Sequence, residues 1–412
     1  MIEERAEKKT TRVAILTQGF NTGGGIPATT RWLQTELELA GKFTVDIHDL
    51  ATSSRDANSR RLLRPLSWFR RSLRHADGTC PERWGANGVE IEAMRYRPRK
   101  EFDILLSQYD IVQVISGSPA LARVARRVPR PTFVLAASMS KWERKSRLAA
   151  MPFRFRVWRS AMGWLTSRAD LKAIHEVQHV FTINSEMERH VRNLGQTQVT
   201  FSPPGVDVSL FTPNKKGWQR SGYLLSVCRL GDSRKGLDRL VLAYDQVALS
   251  MDDCPRLVIA GKGSLSPRVT ALIERSDFAS KIEVMSDVPL AGLPDLMRGA
   301  SVFIQTSHEE GLGISVLEAM ACGLPVVATR TAGSKETVLD GDTGWLLDQD
   351  DETSLPQRFA NRIKSVKELE GQTMALNGRA RCQALFSSGV SMARITDVYD
   401  QSMSQVQRRY SL

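Results

Sequence analysis

The amino-acid sequence predicts an α/β protein made of two doubly wound, Rossmann-like domains in tandem. Three observations carry this. The chain has 412 residues, which exceeds one ordinary α/β domain and suits two of roughly 200 residues each. Short apolar runs alternate with helical or glycine-containing stretches, the pattern of a parallel sheet with helices on both faces. In the middle, Ser202-Pro203-Pro204-Gly205 interrupts the alternation and residues 207–213 stay irregular, so a hinge is expected there.

The first series opens with a β-branched strand at 12–16, followed by Gln18, Gly19 and the triple glycine Gly23-Gly24-Gly25. Apolar residues then fall at helical spacing over 29–39. Further strands are expected at 44–47, 111–115, 132–135 and 179–183. The second series places strands near 223–227, 256–259, 281–284, 302–305 and 325–328. A helix is expected over 391–406, where Met392, Ile395, Val398, Tyr399 and Met403 recur at close to helical spacing.

Composition excludes several classes. Hydrophobic residues at 42% and charged residues at 25% supply two cores and rule out a disordered chain. The longest apolar runs are about five residues, far short of the ~20 that span a bilayer. The charged N-terminus lacks the apolar region of a secretory signal, so a cytoplasmic protein is expected, free or peripheral on the inner face of the plasma membrane. Five scattered cysteines form no CxxC pair and six histidines no HxxH or HExxH, so no bound metal is expected. Charge is uneven. Residues 1–205 hold 33 Lys/Arg against 20 Asp/Glu and residues 206–412 hold 24 against 25, so the first half is the part suited to an anionic partner.

The densest chemistry lies between Ser307 and Thr331, SHEEGLGISVLEAMACGLPVVATRT. It reads as a strand end, an acidic pair, a glycine loop, a short helix, a glycine stop and another strand. These meet at the carboxyl edge of a parallel sheet, where such folds bind ligands. Gly311 and Gly313 let backbone N–H groups approach a ligand, and the helix start favours an anion. Glu310 and Glu318 are suited to gripping sugar hydroxyls through charge-assisted hydrogen bonds. A structural reading stands beside this: Ser315-x-x-Glu318 fits a capping box, Gly323 a helix stop, and Glu310 a solvated loop. Arg229 and Lys235, in VCRLGDSRKGLDRL, are either phosphate ligands or surface cations near a strand end.

These segments resemble the donor-binding domain of the retaining GT-B glycosyltransferases of family 4, also called glycosyltransferase group 1. The resemblance rests on two glutamates separated by seven residues, Glu310 and Glu318 around Gly-x-Gly, followed by Ala319-Met320-Ala321-Cys322-Gly323-Leu324-Pro325-Val326-Val327. It is strong over 200–350 and weak in the first half. It implies a GT-B architecture, two domains facing each other across a cleft: an acceptor-binding domain at 1–204, completed by about 390–412 through a C-terminal helix crossing back, and a donor-binding domain at 205–389. It implies that Arg229 and Lys235 hold the diphosphate, that Glu318 binds the ribose hydroxyls, and that Glu310 contacts the donor sugar with the backbone of Gly311, Leu312, Gly313 and Ile314. Gly261 resembles the family's next glycine loop, Met285 and Ser286 would lie by the base, and Gly24 and Gly25 would face the phosphates from the first domain. Many members carry a histidine after the strand corresponding to 132–135. Here stands Ala136-Ala137-Ser138-Met139-Ser140, so Ser138 or Ser140 is the candidate sugar contact.

The activity implied is metal-independent transfer of a hexose-type sugar from a UDP- or GDP-linked donor, with no cofactor, to a saccharide or lipid-linked acceptor in cell-surface polysaccharide or glycolipid synthesis. Cations and helix N-termini would stabilise the charge that grows on the leaving diphosphate. Asp348-Gln349-Asp350 has the DxD pattern of metal-dependent enzymes but reads as a polar turn. Two other readings are a nucleotide-sugar epimerase and a sugar-nucleotide-binding scaffold without turnover. In the first half, the stretches from Arg55 to Arg74 and from Lys141 to Arg168 interleave seven and eight cations with aromatic and aliphatic residues. That composition suits an anionic membrane surface, the alternative being aromatic core and solvated arginines. No nucleic-acid-binding module is visible, and a nucleic acid is not the expected partner.

Overall fold

The computed structural model describes residues 10–21, 24–51, 59–69, 82–142, 153–366 and 368–410. The chain divides into two compact units, Met1–Pro203 with Met392–Leu412, and Pro204–Ser391.

The first unit carries a seven-stranded parallel sheet in the order β3-β2-β1-β4-β5-β6-β7. Its strands are β1 Thr11–Thr17, β2 Phe43–Ala51, β3 Glu82–Gly85, β4 Ile111–Ser116, β5 Thr132–Ala136, β6 His179–Thr182 and β7 Val199–Phe201. The central strands are covered on both faces. Val13, Ala14 and Ile15 of β1 and Phe133 and Val134 of β5 are fully buried, as near-continuous apolar runs of a parallel sheet require. Gln113 in β4 is a polar exception, and its side-chain oxygen accepts a 2.7 Å hydrogen bond from the Tyr399 hydroxyl. Tyr399 comes from the helix Ser388–Tyr410, and its ring lies 4.9 Å from that of Phe133 and 6.0 Å from that of Phe43. The last stretch of the chain therefore completes the core of the first unit.

The second unit has a six-stranded parallel sheet in the order β10-β9-β8-β11-β12-β13. These are β8 Tyr223–Arg229, β9 Leu257–Lys262, β10 Ile282–Ser286, β11 Ala300–Gln305, β12 Val326–Thr329 and β13 Gly344–Leu347. Strand order reverses between β8 and β11, as it does between β1 and β4. The two points where the chain passes from one unit to the other are tied together within the second. Val206 N donates to Phe386 O at 2.8 Å and Ser388 N to Val206 O at 3.0 Å. A Cβ on Gly205 would lie 2.4 Å from the Ser388 Cα, so glycine is required for this approach.

Three strands lie outside the sequence expectation: β3, β7 and β13. All three are sheet edges of three or four residues. An edge strand has one neighbour, and a stretch such as Glu82-Arg83-Trp84-Gly85 presents no apolar run to detect. The terminal helix begins at Ser388 and runs to Tyr410, longer at both ends than its apolar spacing indicates.

Candidate functional site

In an open doubly wound sheet, ligands bind outside the carboxyl ends of the strands where the order reverses. In the second unit that point lies between β8, which ends on Arg229, and β11, which ends on Gln305. The loop after β8 is organised by Asp232, a residue the sequence reading did not single out. Its carboxylate accepts from Arg234 Nε at 3.1 Å and Nη2 at 2.8 Å, from the Arg234 backbone N–H at 3.1 Å, and from Arg229. Burial by itself would raise the Asp232 carboxyl. The Arg234 hydrogen bonds and the two guanidinium charges outweigh it and hold the group at about 2. Asp232 thus fixes the guanidiniums of Arg229 and Arg234 beside each other at the strand end.

Lys235, one residue further on, turns the other way. Its Nζ donates to Glu310 Oε2 at 2.6 Å, with the side chains 17% and 15% exposed, and Gln305 Nε2 donates to the same oxygen at 3.3 Å. The two loops are stitched by backbone. His308 N donates to Arg234 O at 2.8 Å, and the Thr306 hydroxyl donates to Gly236 O at 2.8 Å. Gly236 has φ +61°, and a Cβ there would lie 2.2 Å from Thr306 O. Cys228, beside the pair on β8, stays a thiol because burial pushes it up to about 12.

The loop from Glu310 to Gly313 is held from behind. Gly333 N donates to Glu310 O at 2.9 Å, and a Cβ on Gly333 would come within 2.6 Å of the Leu312 backbone. Leu312 is buried and anchors the loop. The helix Ile314–Ala321 starts from Gly313 in the left-handed region, without a side-chain cap. The capping box considered for Ser315 and Glu318 is therefore not formed, since Ser315 lies inside the helix and not before it. Glu318 is in the second turn. Among the described residues no hydrogen bond reaches its carboxylate, and burial pushes its carboxyl up to about 8.

The remaining candidates fall at different places. Gly261 lies in β9, where a Cβ would sit 1.6 Å from Cys228 O, so strand packing alone demands glycine. Met285 and Ser286 end the edge strand β10, half-buried and exposed respectively. Asp348 and Asp350 pair with Arg330 and Arg358, as a polar turn would.

In the first unit, Gly24 precedes the helix Gly25–Leu39, with φ 133°, and no atom lies within 4 Å of a Cβ built on Gly25. Ser138 is half-buried. Ser140 corrects the sequence reading: it is buried, its hydroxyl donates to Ser118 Oγ at 2.8 Å, and its N–H donates to Asp170 at 3.0 Å. Asp170 also accepts from Ala120 N at 3.0 Å and from the Ser118 hydroxyl. It joins the loops after β4 and β5, and Ser140 belongs to that framework. Asp170, a lone acid late in a helix, gave no sequence signal.

Of the two basic stretches, residues 52–58, 70–81 and 143–152 lie outside the described residues. Trp142 is partly buried, packing against the first core and against His190, with ring centroids 4.9 Å apart, as the core alternative describes. Trp164 is exposed and stacks under Arg168 at 3.7 Å.

Guanidiniums at a strand end, a lysine and carboxylate in contact, and a carboxylate in the second turn of the following helix are the group types suited to a ligand carrying both phosphates and hydroxyls. The family described as Glycosyl transferases group 1 matches residues 211–382. A D-inositol 3-phosphate glycosyltransferase of Thermobispora bispora is 28% identical over 227 residues, 51% of this chain and 52% of the relative. A GDP-mannose-dependent alpha-(1-6)-phosphatidylinositol monomannoside mannosyltransferase of Mycolicibacterium smegmatis is 36% identical over 165 residues, 36% of this chain and 43% of the relative. The chain thus spans about half the length of the curated relatives it matches. Among solved structures, a sucrose-phosphate synthase from Thermosynechococcus elongatus has a TM-score of 0.68 at 19% identity, covering 96% of this chain and 100% of that one. Anabaena HepE with UDP and glucose has a TM-score of 0.66 at 14% identity, covering 95% and 100%. At these identities the likeness is one of fold, and the neighbours are GT-B glycosyltransferases.

Proposed function

Because residues 211–382 form a domain of the glycosyl transferases group 1, we propose that this chain transfers a hexose-type sugar from a UDP- or GDP-linked donor to a lipid-linked or saccharide acceptor. The observation that carries the reading is that two pairs, Arg229 with Asp232 and Lys235 with Glu310, stand on the loops that leave the β8–β11 reversal. Arg229 and Lys235 grip the diphosphate and take up the negative charge that develops as the sugar leaves. Fixed donors of this kind are worth about 2.7–4 kcal/mol each where measured in acyl transfer. Glu310 faces the sugar with the loop up to Ile314, and Glu318 accepts from the ribose hydroxyls, which would supply the hydrogen bonds the protein does not. On this reading the guanidiniums and ammonium do the work a divalent ion does elsewhere, and the configuration at the anomeric carbon is retained. Gly24 and Gly25 are candidates for the phosphate side of the first unit and Ser138 for its sugar contact; Met285 and Ser286 are candidates for the base.

A phosphatidylinositol-type lipid acceptor is supported by the activity for which the Mycolicibacterium smegmatis relative is named. The donor is identified by thermal shift with UDP, GDP, ADP and their sugars, since a ligand at 100 times its Kd stabilises by about 2.7 kcal/mol. Transfer is then followed with the selected donor, with and without chelator. Stabilisation by none of them overturns the donor assignment; an inverted anomeric product overturns retention.

A further inference from the structure

The two basic stretches occupy the β2-to-β3 and β5-to-β6 connections. Both leave the first sheet at its carboxyl edge, on opposite sides of the β1–β4 reversal. Residues 59–69 form a fixed turn in the first of them. Arg60 N donates to Ala86 O at 2.9 Å, Val89 N donates to Arg60 O at 3.2 Å, Ser67 Oγ accepts from Arg61 N at 2.8 Å, and Trp68 Nε1 donates to Arg61 O at 2.9 Å. On this ordered turn Leu63 and Leu66 are 87% and 82% exposed, with Leu62 and Trp68 also exposed beside them and Arg64 exposed between.

Single exposed leucines are ordinary, but two leucines held almost wholly in water on a hydrogen-bonded turn, with Leu62 and Trp68 partly exposed beside them, mark an interaction surface. What it meets is indicated by charge. The half of the chain that carries it has 33 Lys/Arg against 20 Asp/Glu, and Arg61 and Arg64 lie within the turn. The second connection repeats the pairing, with Trp164 exposed under the Arg168 guanidinium. We propose that this turn docks on an anionic phospholipid surface, Leu63 and Leu66 entering the interface while Arg61 and Arg64 meet the headgroup phosphates. Apolar insertion and attraction to anionic lipid are the two signals that together give stable peripheral attachment. The docked edge is the carboxyl edge of the first sheet, the side on which such a sheet takes its ligands, so an acceptor anchored in that lipid would be presented where it is used.

The test is flotation of the full chain with vesicles of phosphatidylcholine alone and with roughly a third phosphatidylglycerol, at low salt and in roughly 0.5 M salt. A preference of about tenfold or more for the anionic vesicles is expected, weakened by salt. Leu63→Ser/Leu66→Ser is expected to lower partition about tenfold with the thermal transition unchanged, because both side chains are already in water. Arg61→Gln/Arg64→Gln is expected to reduce the anionic preference. Equal partition into both vesicles overturns the proposal, as does a leucine double variant that floats like the parent. Failure to float while binding single-stranded RNA overturns it in favour of a nucleic-acid face.

Discussion

Replacing Glu318 by glutamine should make the protein more stable in alkaline solution and less able to hold a nucleotide. The carboxyl lies in the second turn of the helix Ile314–Ala321, with no hydrogen bond reaching it among the described residues, and burial raises it from 4.5 to about 8. A carboxyl raised in the folded state binds its proton more tightly there than in the unfolded chain. Its contribution to stability is fully present below 4.5 and is lost as pH climbs to about 8. At about 1.4 kcal/mol per pH unit, that interval removes on the order of 5 kcal/mol. Glutamine carries no proton to lose. Denaturant or thermal melts of the parent and Glu318→Gln should agree near pH 4.5 and diverge with rising pH. The gap should reach roughly 10 °C above pH 8, at 2–4 °C per kcal/mol for a domain of this size. The nucleotide chosen by the thermal-shift screen should stabilise the parent and leave the variant nearly unmoved. Melting curves for the two proteins that run parallel across this range would refute the reasoning, because the carboxylate would then carry no uncompensated charge.

The other predictions concern the shell around it. Lys235→Met leaves the half-buried Glu310 with Gln305 Nε2 but without its cation and should cost about 1–3 kcal/mol, while Lys235→Met with Glu310→Gln should recover much of that stability without recovering transfer; melts and initial rates read the two separately. Asp232→Asn frees the guanidiniums of Arg229 and Arg234, and a donor KM raised about tenfold with a smaller change in kcat is expected. Gly333→Ala forces a Cβ to within 2.6 Å of Leu312 and should displace the Glu310 loop, so transfer falls even though position 333 touches no ligand; unchanged rates would contradict this. Asp170→Asn turns an acceptor of two backbone N–H groups into a partial donor and should destabilise the first unit by about 2–3 kcal/mol, seen as an earlier melting transition.

What the sequence made legible follows from how strongly each residue is constrained by its neighbours along the chain. Strands β1, β4, β5, β8, β9, β11 and β12 have a strand on either side and advertise themselves as apolar runs. Among the edges, β3, β7 and β13, of three or four residues, escape notice, while the five-residue β10 does not. Glu310, Lys235 and Glu318 stand out because their spacing is a family pattern. Their chemistry was less visible. That Lys235 is in contact with Glu310 follows from the βα loops converging across seventy-odd residues of intervening chain, and Asp232 matters through the direction of its carboxylate, not its type. Ser140 shows the converse: the residue type suits sugar binding, while its burial against Ser118 and Asp170 commits it to scaffolding.

The tie between Val206 and Ser388 makes the second unit an insertion whose ends emerge side by side. On the ribosome, residues 204–391 are complete while the first unit still lacks Tyr399, the ring that fills the gap among Phe43, Phe133 and Phe181 and satisfies Gln113. The first unit, whose strands precede the second unit in the chain, therefore finishes folding after it. It waits with an unfilled core and a buried amide for the closing helix to emerge, and this interval is when a nascent chain has most need of a chaperone.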